Sequence, residues 1–229
     1  MNNRDHTNTA VVAGATGMMG KQLVQLLLED TAYKRVIVLV RRSVGITHPK
    51  LEERIVNFDR LESEVGADIL QHADVFCTLG TTMQQAGSKE AFRKVDFEYP
   101  LSLAKLALQH HSASYIIVTA MWASEQSWMF YTRVKGELER ELLSLGLPRL
   151  VILRPSLLTG DREGESLGDR ATEVIFRIID PFLIGPLARM KAIECKKVAK
   201  AMIVKACETK PAVEVLESEI IPQVDYARV

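Results

Sequence analysis

"AVVAGATGMMGKQLV", residues 10–24, runs from a short apolar stretch straight into a helical pattern, with Gly14, Gly17 and Gly20 at three-residue spacing. This junction sets the fold. A glycine at 14 permits a tight turn, one at 17 lets the backbone reach a pyrophosphate, and one at 20 lets helix and strand approach closely. The helix N-terminus, with Thr16, Met18 and Met19 completing the loop, supplies amide donors and a positive dipole to the phosphates. A lone glycine triplet is weak evidence, but this one opens a strand–helix–strand unit.

The same alternation continues along the chain. KRVIVLVRR, ERIVNFD, DVFCTLG, SYIIVTA and LVILRPS read as apolar strands, and PLSLAKLALQHH and YTRVKGELERELLSLG have helical spacing, the second stopping at Gly146. Continuous apolar strands between helices predict an α/β fold, a single Rossmann-type doubly wound parallel sheet with helices on both faces. Residues 1–229 are expected to form one NAD(P)-binding domain. Beyond Gly160 the alternation is lost, and about residues 160–229 are expected to add the substrate-side elements, with two helices and a short terminal strand around VEVLE. Within that part the apolar segment Phe182 to Met190 could cover the core, form a subunit contact or touch a membrane.

Composition excludes several classes. Lys+Arg and Asp+Glu both number 29, so the net charge of zero offers no general attraction to nucleic acid. Apolar runs are too short for a bilayer helix, so no integral membrane segment is expected. The N-terminus lacks the long apolar core of a signal peptide, which predicts a cytoplasmic protein, a monomer or small homo-oligomer. Three cysteines without a CxxC pair and five scattered histidines argue against a disulfide framework and against a metal site.

Cofactor choice is read after the second strand. Sites that prefer NAD commonly place an acid there for the ribose 2′-hydroxyl; here Arg41 and Arg42 stand in its place, and a guanidinium suits a 2′-phosphate. NADP(H) is therefore expected over NAD(H). Asn57 and Asp59 fall where an adenine edge could be met, although either could cap the following turn. Leu79, Gly80, Thr81 and Thr82 would line the cofactor after the fourth strand, beside Cys77, read as a small buried hydrophobe. Tyr131 and Lys135 lie one helical turn apart, close enough for the ammonium to influence the phenol.

GATGMMG, the RR pair, CTLGTT, YTRVK and ILRPSLLTG, taken in order, resemble the atypical short-chain dehydrogenases/reductases, in the branch of NADPH-binding proteins related to the Tat-interacting protein. The resemblance spans about residues 10 to 205. It implies a Rossmann-type domain and an NADP cofactor, with Tyr131 as proton donor. It also implies that Lys135 holds the nicotinamide ribose and acidifies the phenol, that Pro155 and Ser156 to Leu158 meet the nicotinamide, and that Arg162 follows in the substrate loop. The sequence departs from this pattern where a carbonyl-orienting serine is expected: Thr119 and Ala120 stand there. Thr119 is then the candidate donor, with Ser124 or Ser127 as alternatives from the loop. Met121, Trp122, Trp128, Met129 and Phe130 either wall a pocket for a hydrophobic small-molecule substrate or pack the loop. Two functions follow: an NADPH-dependent oxidoreductase acting on a carbonyl/alcohol substrate, or an NADPH-binding regulatory protein with little turnover.

Overall fold

The structure is a computed structural model that describes residues 8–160, 191–208 and 212–224. Arg162 and the segment Phe182 to Met190 lie outside these residues. Seven parallel strands form the main sheet in the order β3-β2-β1-β4-β5-β6-β9. They are β1 (Thr9–Ala13), β2 (Arg35–Val40), β3 (Leu51–Ile55), β4 (Asp74–Cys77), β5 (Ser114–Val118), β6 (Arg149–Arg154) and β9 (Ala212–Glu217). A separate pair, β7 (Leu158–Thr159) and β8 (Ile193–Glu194), lies beyond β6 in the chain. The helices are α1 (Met18–Glu29), α2 (Leu61–Glu64), α3 (Ala67–Leu70), α4 (Met83–Ala86), α5 (Lys89–Arg93), α6 (Tyr99–Gln109), α7 (Phe130–Ser144) and α8 (Cys195–Ala206).

The apolar strands are explained by burial on both faces. Because side chains alternate along a strand, Ala10 and Val12 join Leu23 and Leu27 of α1 and Val198 and Met202 of α8, whereas Val11 and Ala13 join Leu103 and Ala107 of α6 and Leu138 and Leu142 of α7. The expected terminal strand around VEVLE is β9, at the sheet edge beside β6. The third strand differs from its expected span. It begins at Leu51 and ends at Ile55, because an edge strand can expose charged side chains: Glu52 pairs with Arg35 at 2.6 Å and with Arg54 at 2.5 Å. Asn57 then starts a turn.

Helical structure also begins earlier than PLSLAKLALQHH. It starts after Ser88, whose hydroxyl accepts from the Ala91 amide at 3.1 Å, and runs through α5 and a π-helical turn at Lys94–Glu98 into α6. The order in which successive strands are added reverses between β1 and β4, so the loops after these two parallel strands flank the crevice where ligands bind in such sheets. Thr78 closes that junction, its amide and hydroxyl both donating to the Ala13 carbonyl at 2.8 and 3.0 Å.

Candidate functional site

The three glycines of the loop have different surroundings. Gly14 has φ +93°, and a β-carbon on it would stand 2.6 Å from the Thr78 carbonyl. A β-carbon on Gly20 would fall on the Gly14 carbonyl, so α1 packs directly on the turn. At Gly17, the residue preceding α1, a β-carbon would meet nothing nearer than the Gly14 oxygen at 3.4 Å. The turn itself is tight, with the Gly17 amide donating to Gly14 at 3.0 Å. Thr16 is exposed, Met18 half-buried, and Met19 buried in the core, which leaves only the Met19 backbone for a ligand.

Arg41 and Arg42 are exposed at the end of β2. Arg41 lies close enough to Tyr99 for its charge to act on the phenol, which burial, a hydrogen bond to Asp59 and the Asp59 charge nevertheless push up to about 12. Asn57 and Asp59 are engaged locally. The Asn57 side chain accepts from the Asp59 amide at 3.0 Å, and Asp59 holds the Tyr99 hydroxyl at 2.7 Å and Lys94 at 2.8 Å. Of the two roles open to Asn57, the structure displays the turn cap. Thr82 caps α4 in the same way, its hydroxyl accepting from the Gln85 amide at 3.1 Å, while Leu79 and Thr81 are half-buried and Gly80 exposed.

α7 brings the phenol and the ammonium to this edge. Tyr131 is 41% exposed and sets its ring against fully buried Phe92, with centroids 5.7 Å apart. Lys135 is 3% exposed, and its Nζ lies 2.7 Å from Asp96 Oδ1. Burial disfavours the ammonium, but the charges of Asp96 and Tyr131 and the Asp96 hydrogen bond outweigh it and raise the Lys135 pKa. A β-carbon on Gly80 would be 4.0 Å from this Nζ and 3.5 Å from Asp96, so the loop after β4 and the start of α7 share one wall. Asp96 carries no motif; a lone acid in an amphipathic run gives no sign of its partner. Gly136, also unmarked by any pattern, is required because a β-carbon there would strike the Ser124–Glu125 backbone.

At the position where a serine is expected, Thr119 is engaged within the protein. Thr119 is buried and donates its hydroxyl to Glu139 Oε1 at 2.5 Å. Glu139 is in turn clasped by Arg154, which also reaches Glu217 at 2.8 Å. The Thr119 proton is thus directed at a carboxylate, and Ala120 has no hydroxyl to offer. Ser127 Oγ lies 2.6 Å from the Thr132 hydroxyl and accepts from the Met129 amide at 3.2 Å, ordering the entry to α7; Ser124 accepts from Gln126 at 3.3 Å. Trp122, held at φ +62°, is 55% exposed and Trp128 87% exposed, so neither packs the loop as core. Pro155 is buried, and Ser156 binds Ser218 and the Lys191 carbonyl, while Leu158 pairs with Ile193. Burial pushes the Cys77 thiol up, as befits a small hydrophobe.

A family model described as HIM1 matches residues 47–178, more than half of the chain. FMP52-1 of Scheffersomyces stipitis is 34% identical over 68% of this chain and 69% of its own, and FMP52 of Eremothecium gossypii 36% identical over 73% and 74%. The chain belongs to the FMP52 family. Its FMP52 relatives, including that of Emericella nidulans at 32% identity, are named as mitochondrial proteins, which overturns the expectation of a cytoplasmic one. A second family model, described as Male sterility protein, matches residues 12–65, around the glycine loop.

Solved structures share this chain's fold at low identity. MoeE5 in complex with UDP-glucuronic acid and NAD superposes with a TM-score of 0.70 at 16% identity, covering 92% of this chain and 76% of its own. Human epimerase family protein SDR39U1 with NADPH gives 0.58 at 18%, covering 90% and 72%. Among the described residues no helix is long and apolar enough to cross a membrane.

Proposed function

We propose that this FMP52-family chain is a single-domain, NADP(H)-preferring oxidoreductase of the atypical short-chain type, acting in mitochondria on a small carbonyl/alcohol substrate. The observation that carries this reading is a convergence. The open approach at Gly17, the Gly80 loop, and the Tyr131–Lys135 pair all lie at the carboxyl edge of the sheet around its switch point. NAD and NADPH in the solved neighbours, and the ordered motifs that resemble the NADPH-binding Tat-interacting branch, support the cofactor class.

The residues present fit such a group. Gly17 and the start of α1 would take the pyrophosphate, Arg41 and Arg42 the 2′-phosphate, the loop Leu79–Thr82 the ribose side, and Ser156 to Leu158 the nicotinamide. A bound nicotinamide supplies the hydride. Tyr131, partly exposed beside the loop, gives its proton to the substrate oxygen, and Lys135 holds a positive charge behind it. Trp122 and Trp128, exposed near the phenol in sequence, suit an apolar substrate.

Calorimetric titration with NADPH and NADH tests the cofactor half. Charge-assisted contacts from two guanidinium groups predict about tenfold or greater preference for NADPH, lost in Arg41→Ala with Arg42→Ala. Equal affinities in the unaltered protein would reject it. For the catalytic half, Tyr131→Phe keeps the ring against Phe92 and should lower turnover on a carbonyl panel by roughly 10² to 10⁴, with NADPH affinity unchanged.

One observation favours a second reading, an NADPH-binding regulatory protein with little turnover: Thr119 is bound to Glu139, and Ala120 offers no donor. NADPH binding without turnover across the panel would select it.

A further inference from the structure

Asp96 sits on the π-helical turn Lys94–Glu98, 1% exposed, and spends both carboxylate oxygens inside the candidate site. Oδ1 lies 2.7 Å from Lys135 Nζ, and Oδ2 accepts from the Thr81 amide at 2.9 Å. A π turn admits an extra residue and re-aims the side chains that follow it. One turn earlier, on the same helical run, Phe92 backs the Tyr131 ring. A single short stretch therefore touches the phenol ring, the ammonium and the cofactor-side loop. A buried ion pair gains little over an apolar pair of equal size, so stability alone does not account for it.

We infer that Asp96 is a positioning residue: acting through Lys135, it keeps that ammonium charged and ties it to the loop Leu79–Thr82, so that cofactor ribose and phenol meet a fixed cation. The cofactor part rests on the function proposed above; the charge-holding part does not. The titratable groups acting on Lys135 are Asp96 from the π turn, Tyr131 from α7 itself and Cys77 from β4. Burial opposes the ammonium and Asp96 is the largest influence sustaining it, so without Asp96 the amine loses its proton at lower pH.

The test follows the Lys135 amine by NMR in the full, cofactor-free chain labelled at lysine, from about pH 7 to about pH 11. In the unaltered protein the ammonium should persist beyond the ordinary lysine value of 10.5; in Asp96→Asn it should lose its proton at a distinctly lower pH than in the unaltered protein. Identical titrations would overturn the proposal. Calorimetry should show NADPH bound about tenfold or more weakly by Asp96→Asn at neutral pH, with the loss growing as pH rises. A shifted titration with unaltered NADPH affinity overturns the positioning role. A shifted titration when neither protein binds a nicotinamide cofactor supports the charge-holding role and refutes the function proposed above.

Should Asp96→Asn fail to fold, Asp96→Asn with Lys135→Gln retains both contacts without charge, since the new amide can accept from Thr81 and donate to the glutamine. Because Asp96 acts through Lys135, this double variant should bind NADPH as Lys135→Gln does. A further loss in the double variant would show an independent role and sink the inference.

Discussion

The two sides of the crevice are made of different material. On the β1 side the working surfaces are backbone: Gly14 against Thr78, Gly20 against Gly14, and the open approach at Gly17. On the α7 side they are buried charges joined across elements, Lys135 with Asp96 and Glu139 with Arg154 and Thr119. A backbone surface is specified by which residues lack a side chain, so it can be substituted only where a β-carbon finds room. A charge network is specified by partners far apart in sequence, and it fails when one partner is removed and the other stays buried.

The largest effect should come from breaking that network. Arg154→Met leaves Glu139, whose side chain is 3% exposed, without its guanidinium, and should cost about 3–5 kcal/mol in urea denaturation. Glu139→Leu added to it removes the stranded carboxylate and should recover much of the loss. A loss below about 1 kcal/mol in Arg154→Met would mean that water reaches Glu139 and that this side is less dry than the geometry indicates.

A middle-sized effect tests the backbone side. Gly20→Ala drives a methyl into the Gly14 carbonyl and should cost about 3 kcal/mol, whereas Gly17→Val should cost under about 1 kcal/mol and yet abolish NADPH binding, because its side chain occupies the pyrophosphate's approach. Circular dichroism reports the fold and calorimetry the ligand. Retained NADPH affinity in folded Gly17→Val would move the phosphates elsewhere. Gly136→Ala should behave like Gly20→Ala, since its β-carbon meets the Ser124–Glu125 backbone; it is the place where the α7 side borrows the backbone device.

This difference in material also decides what the sequence discloses. Glycine spacing after an apolar strand encodes backbone geometry locally, so the loop, the parallel strands and the helices α1, α6 and α7 are legible from pattern alone. The third strand is displaced because an edge strand needs no apolar run: LEERI carries the ladder and the more apolar residues beyond it turn away. Asp96 is invisible because its partner Lys135 comes from another helix, and a π turn has no composition of its own. Thr119 was expected to act on a substrate because it fills a serine's place; its direction depends on Glu139 and Arg154, which lie on α7 and β6.

The smallest effect separates those two lives of Thr119. Thr119→Val is nearly isosteric and deletes one hydroxyl. As the geometry stands, that hydroxyl serves Glu139, already held by Arg154 at 3.1 Å through Nε to the same oxygen, so the change should cost about 1–2 kcal/mol of stability. Turnover, once a substrate is found, should change by less than about threefold, because no donor to the reacting oxygen is lost; losing a true carbonyl donor costs about 10² to 10³. Stability from urea titration and turnover at the NADPH absorbance give the two readings independently. A drop of about a hundredfold in turnover with stability intact would return Thr119 to the reacting centre. It would also mean that Thr119 leaves Glu139 when substrate binds, which would make the charged side of the crevice the adaptable one.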